Sequence, residues 1–176
     1  MKKKALILSI LFHSLLLMVV YVFQGMIFPF MRLGGLVPLL LPIASTGIAL
    51  YEGKNAGGVV GLFAGILCDI SFNQPIGVFT VLLTLTGLVI GTLADTVILR
   101  GFVTYYISCA VVLVICAIVQ MFPLLVLASN NISIFILAPT AIQQTIYSLI
   151  LAFPIWFFVR AIGNWTDKIS PSGRTY

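Results

Sequence analysis

Six apolar stretches fill most of this 176-residue chain, and their lengths limit its fold more than any other feature. They are residues 5–23, 33–50, 56–70, 76–99, 102–127 and 132–162. A helix needs about 20 apolar residues, within a range of roughly 17 to 25, to cross the hydrocarbon core of a membrane. Five stretches are about that long or longer, and the third reaches that length if its helix begins within residues 51–55. The sequence therefore predicts six transmembrane helices, with five as the alternative count.

The share of charged residues decides whether water or lipid surrounds these helices. Only 7% of the residues are charged, whereas soluble domains have about 25%. Polar groups could not cover the surface of a soluble globule of this composition, so the helices must face a lipid bilayer. The chain contains no linker, charge block or low-complexity segment. We therefore predict an all-α integral membrane protein with a single domain over residues 1–176.

Basic residues predict how the helices are oriented. If the lysines at 2–4 are cytoplasmic, six spans place eight of the nine basic residues on that side and only Arg32 on the other, as the positive-inside rule requires. Both termini are then cytoplasmic, and the first helix is uncleaved because no A-x-A site follows it. The net charge of +5 suits an anionic inner leaflet. No stretch outside the spans is long enough for a nucleic-acid-binding domain, so we expect no nucleic-acid partner.

Glycines recur every fourth residue in the third and fourth spans, and each series ends in an aspartate. The third-span series is Gly53, Gly57, Gly61, Gly65 and Asp69, and the fourth-span series is Gly87, Gly91 and Asp95. This spacing puts the residues of each series on one helix face. In water each interior glycine would cost roughly 1 kcal/mol relative to alanine, but in lipid small residues let two helix backbones approach closely. We predict that Gly57, Gly61, Gly65, Gly87 and Gly91 form a helix-packing or partner interface.

The two aspartates are candidate polar sites, because acidic side chains within a membrane span are costly and rare. Asp69 lies near the outer end of its helix, where it could cap the 73–77 turn, pair with Arg32 or serve a function. Asp95 lies near the inner end of the next helix, and we favour its pairing with Arg100 or Lys54. Because the two acids lie near opposite membrane faces, the sequence gives little support to a proton-coupled carrier.

Prolines interrupt two of the predicted helices. Pro38 and Pro42 predict a kinked or partly unwound start of the second helix, because proline frees backbone carbonyls that neighbouring groups must satisfy. Pro139 and Pro154 lie in the long sixth stretch, which could be kinked or begin as an interfacial piece.

The chain lacks the arrangements of residues that carry catalysis. There is no P-loop, H-E-x-x-H motif, carboxylate pair or Ser/His/Asp arrangement, so we expect neither an enzyme nor a cofactor. The three cysteines form no C-x-x-C motif and are expected to be buried apolar thiols. The single histidine, His13, is interpreted as a satisfied interior group.

Two segments carry a resemblance to a known family. Residues 57–69 read G-G-V-V-G-L-F-A-G-I-L-C-D and are followed by Gly77, and residues 139–147 read P-T-A-I-Q-Q-T-I-Y and lead to Pro154 and Arg160. With these motifs the chain resembles, over nearly its whole length, the bacterial rod shape-determining protein MreD. The resemblance implies that the third-span glycines, Asp69 and Gly77 match positions of the family's motif.

The resemblance implies a non-enzymatic scaffold in the bacterial inner membrane. Such a protein binds MreC and thereby supports the peptidoglycan synthase components and MreB filaments of the cell-elongation machinery, the elongasome. The family's fold is similar to that of the S-component of energy-coupling-factor transporters.

The S-component resemblance leaves an alternative function open, namely substrate binding in a vitamin transporter. A solute would then lie near Asp69, Asn73 and the 28–30 loop. However, the first helix has Ala5, Ser9 and His13 where S-components use an Ala-x-x-x-Ala pattern to dock the coupling subunit.

Overall fold

The computed structural model describes residues 2–27, 37–72, 77–96, 101–127 and 134–169. These residues form six helices: α1 (Lys2–Ile27), α2 (Leu40–Glu52), α3 (Lys54–Phe72), α4 (Val78–Thr96), α5 (Phe102–Leu127) and α6 (Ile134–Ile169). The predicted all-helical architecture is confirmed for the described part of the chain. Four helices are long and apolar enough to cross a membrane, through the segments Lys54–Phe72, Val78–Thr96, Phe102–Met121 and Pro139–Ala161. Spans in α1 and α2 remain predictions.

The second helix is the centre of the bundle. Every residue of α2 from Leu40 to Tyr51 is buried, and α2 contacts each of the other five helices. A helix that is apolar on all sides can be surrounded by other helices, because none of its faces needs contact with water. Around it, neighbouring helices are in contact in the order α1, α3, α4, α5 and α6. The short central helix therefore positions the other five.

The start of α2 differs from the helix predicted over residues 33–50. Residues 37–39 are not helical, and the helix begins at Leu40. Pro42 accounts for the late start, because a proline ring within a helix clashes with the backbone carbonyl four residues earlier, here that of Pro38. Pro38 in turn disfavours the helical conformation of Val37. The partly unwound start predicted from the prolines is thus confirmed in the described residues. With 13 residues, α2 is about 20 Å long at 1.5 Å per residue, which is shorter than a membrane core of about 30 Å.

The bounds of the other helices follow the apolar stretches closely. The third helix begins at Lys54, so it reaches 19 residues by starting inside the predicted 51–55 loop. The fifth has the predicted bounds. The first helix runs past its apolar stretch at both ends and the sixth at its C-terminal end, and the sixth contains Pro139 and Pro154. A helix can continue into the polar interface, where apolar residues are no longer required, so hydropathy underestimates its length.

A groove separates α1 from α6 on the outside of α2. Its volume is about 250 Å³, and its lining is entirely apolar. Phe23 of α1, Leu40 of α2, and Pro154 and Phe158 of α6 are among the lining residues. The described helices around α2 are therefore indented between α1 and α6.

Candidate functional site

The third and fourth helices are joined by glycines that face each other. A Cβ atom on Gly57 would lie 2.6 Å from the carbonyl oxygen of Gly87, and one on Gly87 would collide with the carbonyl oxygen of Gly57. Both obstacles are backbone atoms, which cannot move without shifting a helix. Only glycine therefore permits this separation of α3 and α4.

The remaining glycines of the two series extend this contact along the pair. A Cβ on Gly61 would collide with the carbonyl oxygen of Leu83, and one on Gly65 would lie 2.7 Å from that of Phe79. A Cβ on Gly91 would lie 2.6 Å from the Cα of Lys54. The structure thus places all five glycines singled out in the sequence between two helices of the same chain.

Asp69 lies near the C-terminal end of α3 and binds the start of α4. Its Oδ1 accepts a hydrogen bond from the N–H of Phe79 at 2.8 Å. Its Oδ2 accepts bonds from the N–H of Gly77 at 2.8 Å, the N–H of Thr80 at 3.2 Å and the Thr80 hydroxyl at 2.6 Å. The first N–H groups of a helix have no partner within the helix and carry its positive dipole end. Asp69, which is only 2% exposed, satisfies them and is itself solvated by them.

Arg32, the predicted ion-pair partner of Asp69, lies outside the described residues. So do residues 73–76 of the turn that Asp69 is expected to cap; the remaining residue of that turn, Gly77, donates its N–H to Asp69 Oδ2. The solute site of the transporter alternative also falls mostly outside the described ranges, at Asn73 and residues 28–30. Its one described member, Asp69, has both carboxylate oxygens engaged by α4.

Asp95 binds the start of α3 at the other end of the pair. Its Oδ2 accepts a hydrogen bond from the main-chain N–H of Lys54 at 3.1 Å. A Cβ on Gly53 would lie 2.5 Å from Oδ1, and Gly53 has a φ of +85°. Glycine is therefore required at Gly53 both for its backbone conformation and for space. The prediction linked Asp95 with Lys54, and the contact is made through the Lys54 backbone; Arg100 lies outside the described residues.

The turn between α2 and α3 is tied to three further helices. The hydroxyl of Tyr51 accepts a hydrogen bond from Nε1 of Trp156 in α6 at 2.9 Å. Glu52 Oε1 lies 3.9 Å from Nε2 of His13 in α1, and Lys54 binds Asp95 of α4. No sequence pattern indicates this cluster, because Tyr51 and Trp156 are 105 residues apart and no motif relates them.

The unwound start of α2 is held by polar side chains of α6. Gln144 Nε2 donates to the carbonyl oxygen of Val37 at 2.8 Å, and the N–H of Leu39 donates to Ser148 Oγ at 3.0 Å. Within a membrane, irregular backbone is tolerated only where protein groups satisfy it. These two bonds give the Val37 carbonyl and the Leu39 N–H the partners that they would have within α2 if the helix began earlier in the chain.

The cysteines and His13 are interior groups, as the sequence analysis proposed. Cys68, Cys109 and Cys116 are free and buried, and His13 is 1% exposed. In the described ranges, no group of three or more His, Cys, Asp or Glu side chains could hold a metal ion.

Comparison with known proteins gives one match. The sequence model of a family described as rod shape-determining protein MreD matches residues 2–162. No curated protein and no solved structure matches the chain. The expected likeness to the S-component fold therefore stays a prediction.

Proposed function

The chain belongs to the rod shape-determining protein MreD family, and we propose that it is a non-enzymatic scaffold that binds an MreC-like membrane protein. Through that partner it would support the peptidoglycan synthase components of the elongasome. The family gives the chain a role in rod shape determination, and its four apolar helices fit an inner-membrane protein. We further propose a multi-pass topology with both termini cytoplasmic, on the distribution of basic residues.

The observation that supports this proposal is that the described carboxylates of the bundle hold helices together. Asp69 and Asp95 bind helix starts, and Glu52 lies beside His13. Each of these carboxylates connects two helices, so their chemistry supports a fixed arrangement of α1, α2, α3 and α4. A rigid surface loses little conformational entropy when a partner binds, which is what a scaffold requires.

The apolar groove between α1 and α6 is the surface we propose for the partner's transmembrane helix. It is the indentation beside α2, and its lining is wholly apolar. Helices associate in lipid mainly through close packing, so a partner helix gains most contact where the surface is concave. By contrast, the glycine faces of α3 and α4 are occupied by each other.

Co-purification of the tagged full chain from its native membrane tests the proposed function. We expect an MreC homologue to be recovered in near-stoichiometric amount after solubilisation in mild detergent. Mass spectrometry of the same sample measures any bound small molecule. Stoichiometric recovery of a vitamin without an MreC homologue would refute the scaffold and support the transporter alternative.

A further inference from the structure

Arg160 is held in a fixed position near the end of the bundle that carries the α2–α3 turn. Its Cζ lies 4.9 Å from the centroid of the Trp156 ring, a cation–π contact. Trp156 is itself fixed, because its Nε1 donates to the buried hydroxyl of Tyr51 at 2.9 Å. Arg160 is nevertheless exposed. Its guanidinium is therefore oriented by the bundle while its surface stays open.

No carboxylate among the described side chains forms an ion pair with Arg160. Glu52 lies beside His13, Asp69 binds the start of α4, and Asp95 binds the start of α3. Stacking on an indole face leaves the edge of the planar guanidinium, with its N–H donors, available for a planar or tetrahedral anion. Arginine pairs with phosphate through two parallel hydrogen bonds.

Exposed aromatic rings surround the indole of Trp156, over which this cation lies. Phe102, the first residue of α5, lies 5.1 Å from Trp156 between ring centroids, and Phe157 lies 5.0 Å from it. Phe153 contacts both phenylalanines, at 6.0 and 5.3 Å. All three phenylalanines are exposed. Tryptophan and tyrosine collect at the membrane–water interface, and Trp156 with its partner Tyr51 lies beside these phenylalanines. We therefore assign the cluster to the depth at which lipid headgroups meet the acyl chains.

We propose that Arg160 and this aromatic cluster bind the phosphate of an anionic phospholipid, with an acyl chain lying against Phe153 and Phe157. Charge complementarity favours an anionic lipid, because a zwitterionic headgroup carries its own cation beside the phosphate. The basic residues predict that this end of the bundle faces the cytoplasm, where the leaflet is negatively charged. The lipid site does not depend on partner binding and goes beyond the scaffold function.

Native mass spectrometry of the full chain in detergent tests this site, with phosphatidylglycerol and phosphatidylcholine as the probes. We expect the wild-type chain to bind phosphatidylglycerol more tightly than phosphatidylcholine, and Arg160→Gln to weaken phosphatidylglycerol binding about tenfold, because a charge-assisted hydrogen-bonded contact is lost. Lys54→Gln is the matched control, since it removes one exposed positive charge at the same end of the bundle but away from the rings. Its affinity should stay close to that of the wild type.

Three outcomes would overturn the lipid site. One is an Arg160→Gln variant that binds phosphatidylglycerol as tightly as the wild type. Another is an equal loss in Lys54→Gln, which would assign the effect to general surface charge. The third is displacement of phosphatidylglycerol by inorganic phosphate at equal concentration, which would assign Arg160 to free anions. Unchanged thermal stability of both variants establishes that the comparison concerns folded protein.

Discussion

Asp69 and Asp95 perform the same task at opposite ends of one antiparallel helix pair. Asp69, near the end of α3, accepts hydrogen bonds from the first N–H groups of α4, and Asp95, near the end of α4, accepts one from the first residue of α3. The glycines between them bring the two backbones together. Both helices have glycines four residues apart followed by an aspartate. This shared spacing follows from the arrangement, because each helix packs its glycines against the other and caps the start of the other with its aspartate.

Substituting alanine for two glycines should change stability in opposite directions. A Cβ on Gly61 collides with the backbone of Leu83, whereas one on Gly25 meets nothing within 4 Å. We expect Gly61→Ala to destabilise the chain by about 1–3 kcal/mol through overpacking. Gly25→Ala should be neutral or slightly stabilising, because alanine favours the helix. The midpoint of unfolding in mixed detergent measures both; a neutral Gly61→Ala would contradict the close approach of α3 and α4.

The hydrogen bond between Trp156 and Tyr51 should contribute measurably to stability. Tyr51→Phe leaves the buried indole N–H of Trp156 without its partner, which should cost about 1–3 kcal/mol. Tyr21→Phe is the control, since the Tyr21 hydroxyl makes no hydrogen bond within the described ranges. The same unfolding titration compares the two, and equal midpoints would show that the α2–α6 bond contributes nothing.

Filling the groove between α1 and α6 should weaken partner binding and leave folding intact. Val19 lines the groove and is 56% exposed, while Val81 on α4 is 59% exposed and lies outside the groove. We expect Val19→Trp to reduce recovery of the MreC homologue several-fold, because the indole occupies the space of the partner helix. Val81→Trp should leave recovery unchanged. Equal recovery with both variants would place the partner elsewhere on the chain.

The sequence predicts the class of fold well because membrane helices are specified locally. The bounds of α5 follow directly from its apolar residues, and the prolines at 38 and 42 indicate the unwound start of α2. The glycine spacing likewise identifies the faces that pack together. The central position of α2 could not be predicted, because its composition resembles that of a helix facing lipid on one side.

The partners of the polar residues were harder to predict than the helices. Capping of α4 by Asp69 requires knowing that α3 and α4 are antiparallel and in close contact. The links of Tyr51 to Trp156 and Val37 to Gln144 join residues more than 100 positions apart. Hydrophobic patterns carry no information about such pairs, because a pattern indicates which residues are buried but not which residues they contact.

The most direct test of a structural role for the membrane carboxylates is the Asp69→Asn variant, measured as MreC recovery per amount of folded protein. Asparagine offers one acceptor oxygen where aspartate offers two, so the first N–H groups of α4 lose bonds, at a cost of about 1–3 kcal/mol. We expect the yield of folded protein and its unfolding midpoint to fall, while recovery of the MreC homologue per folded molecule stays at the wild-type value. A variant that folds normally but no longer recovers the MreC homologue would contradict the structural role and make Asp69 part of the binding function.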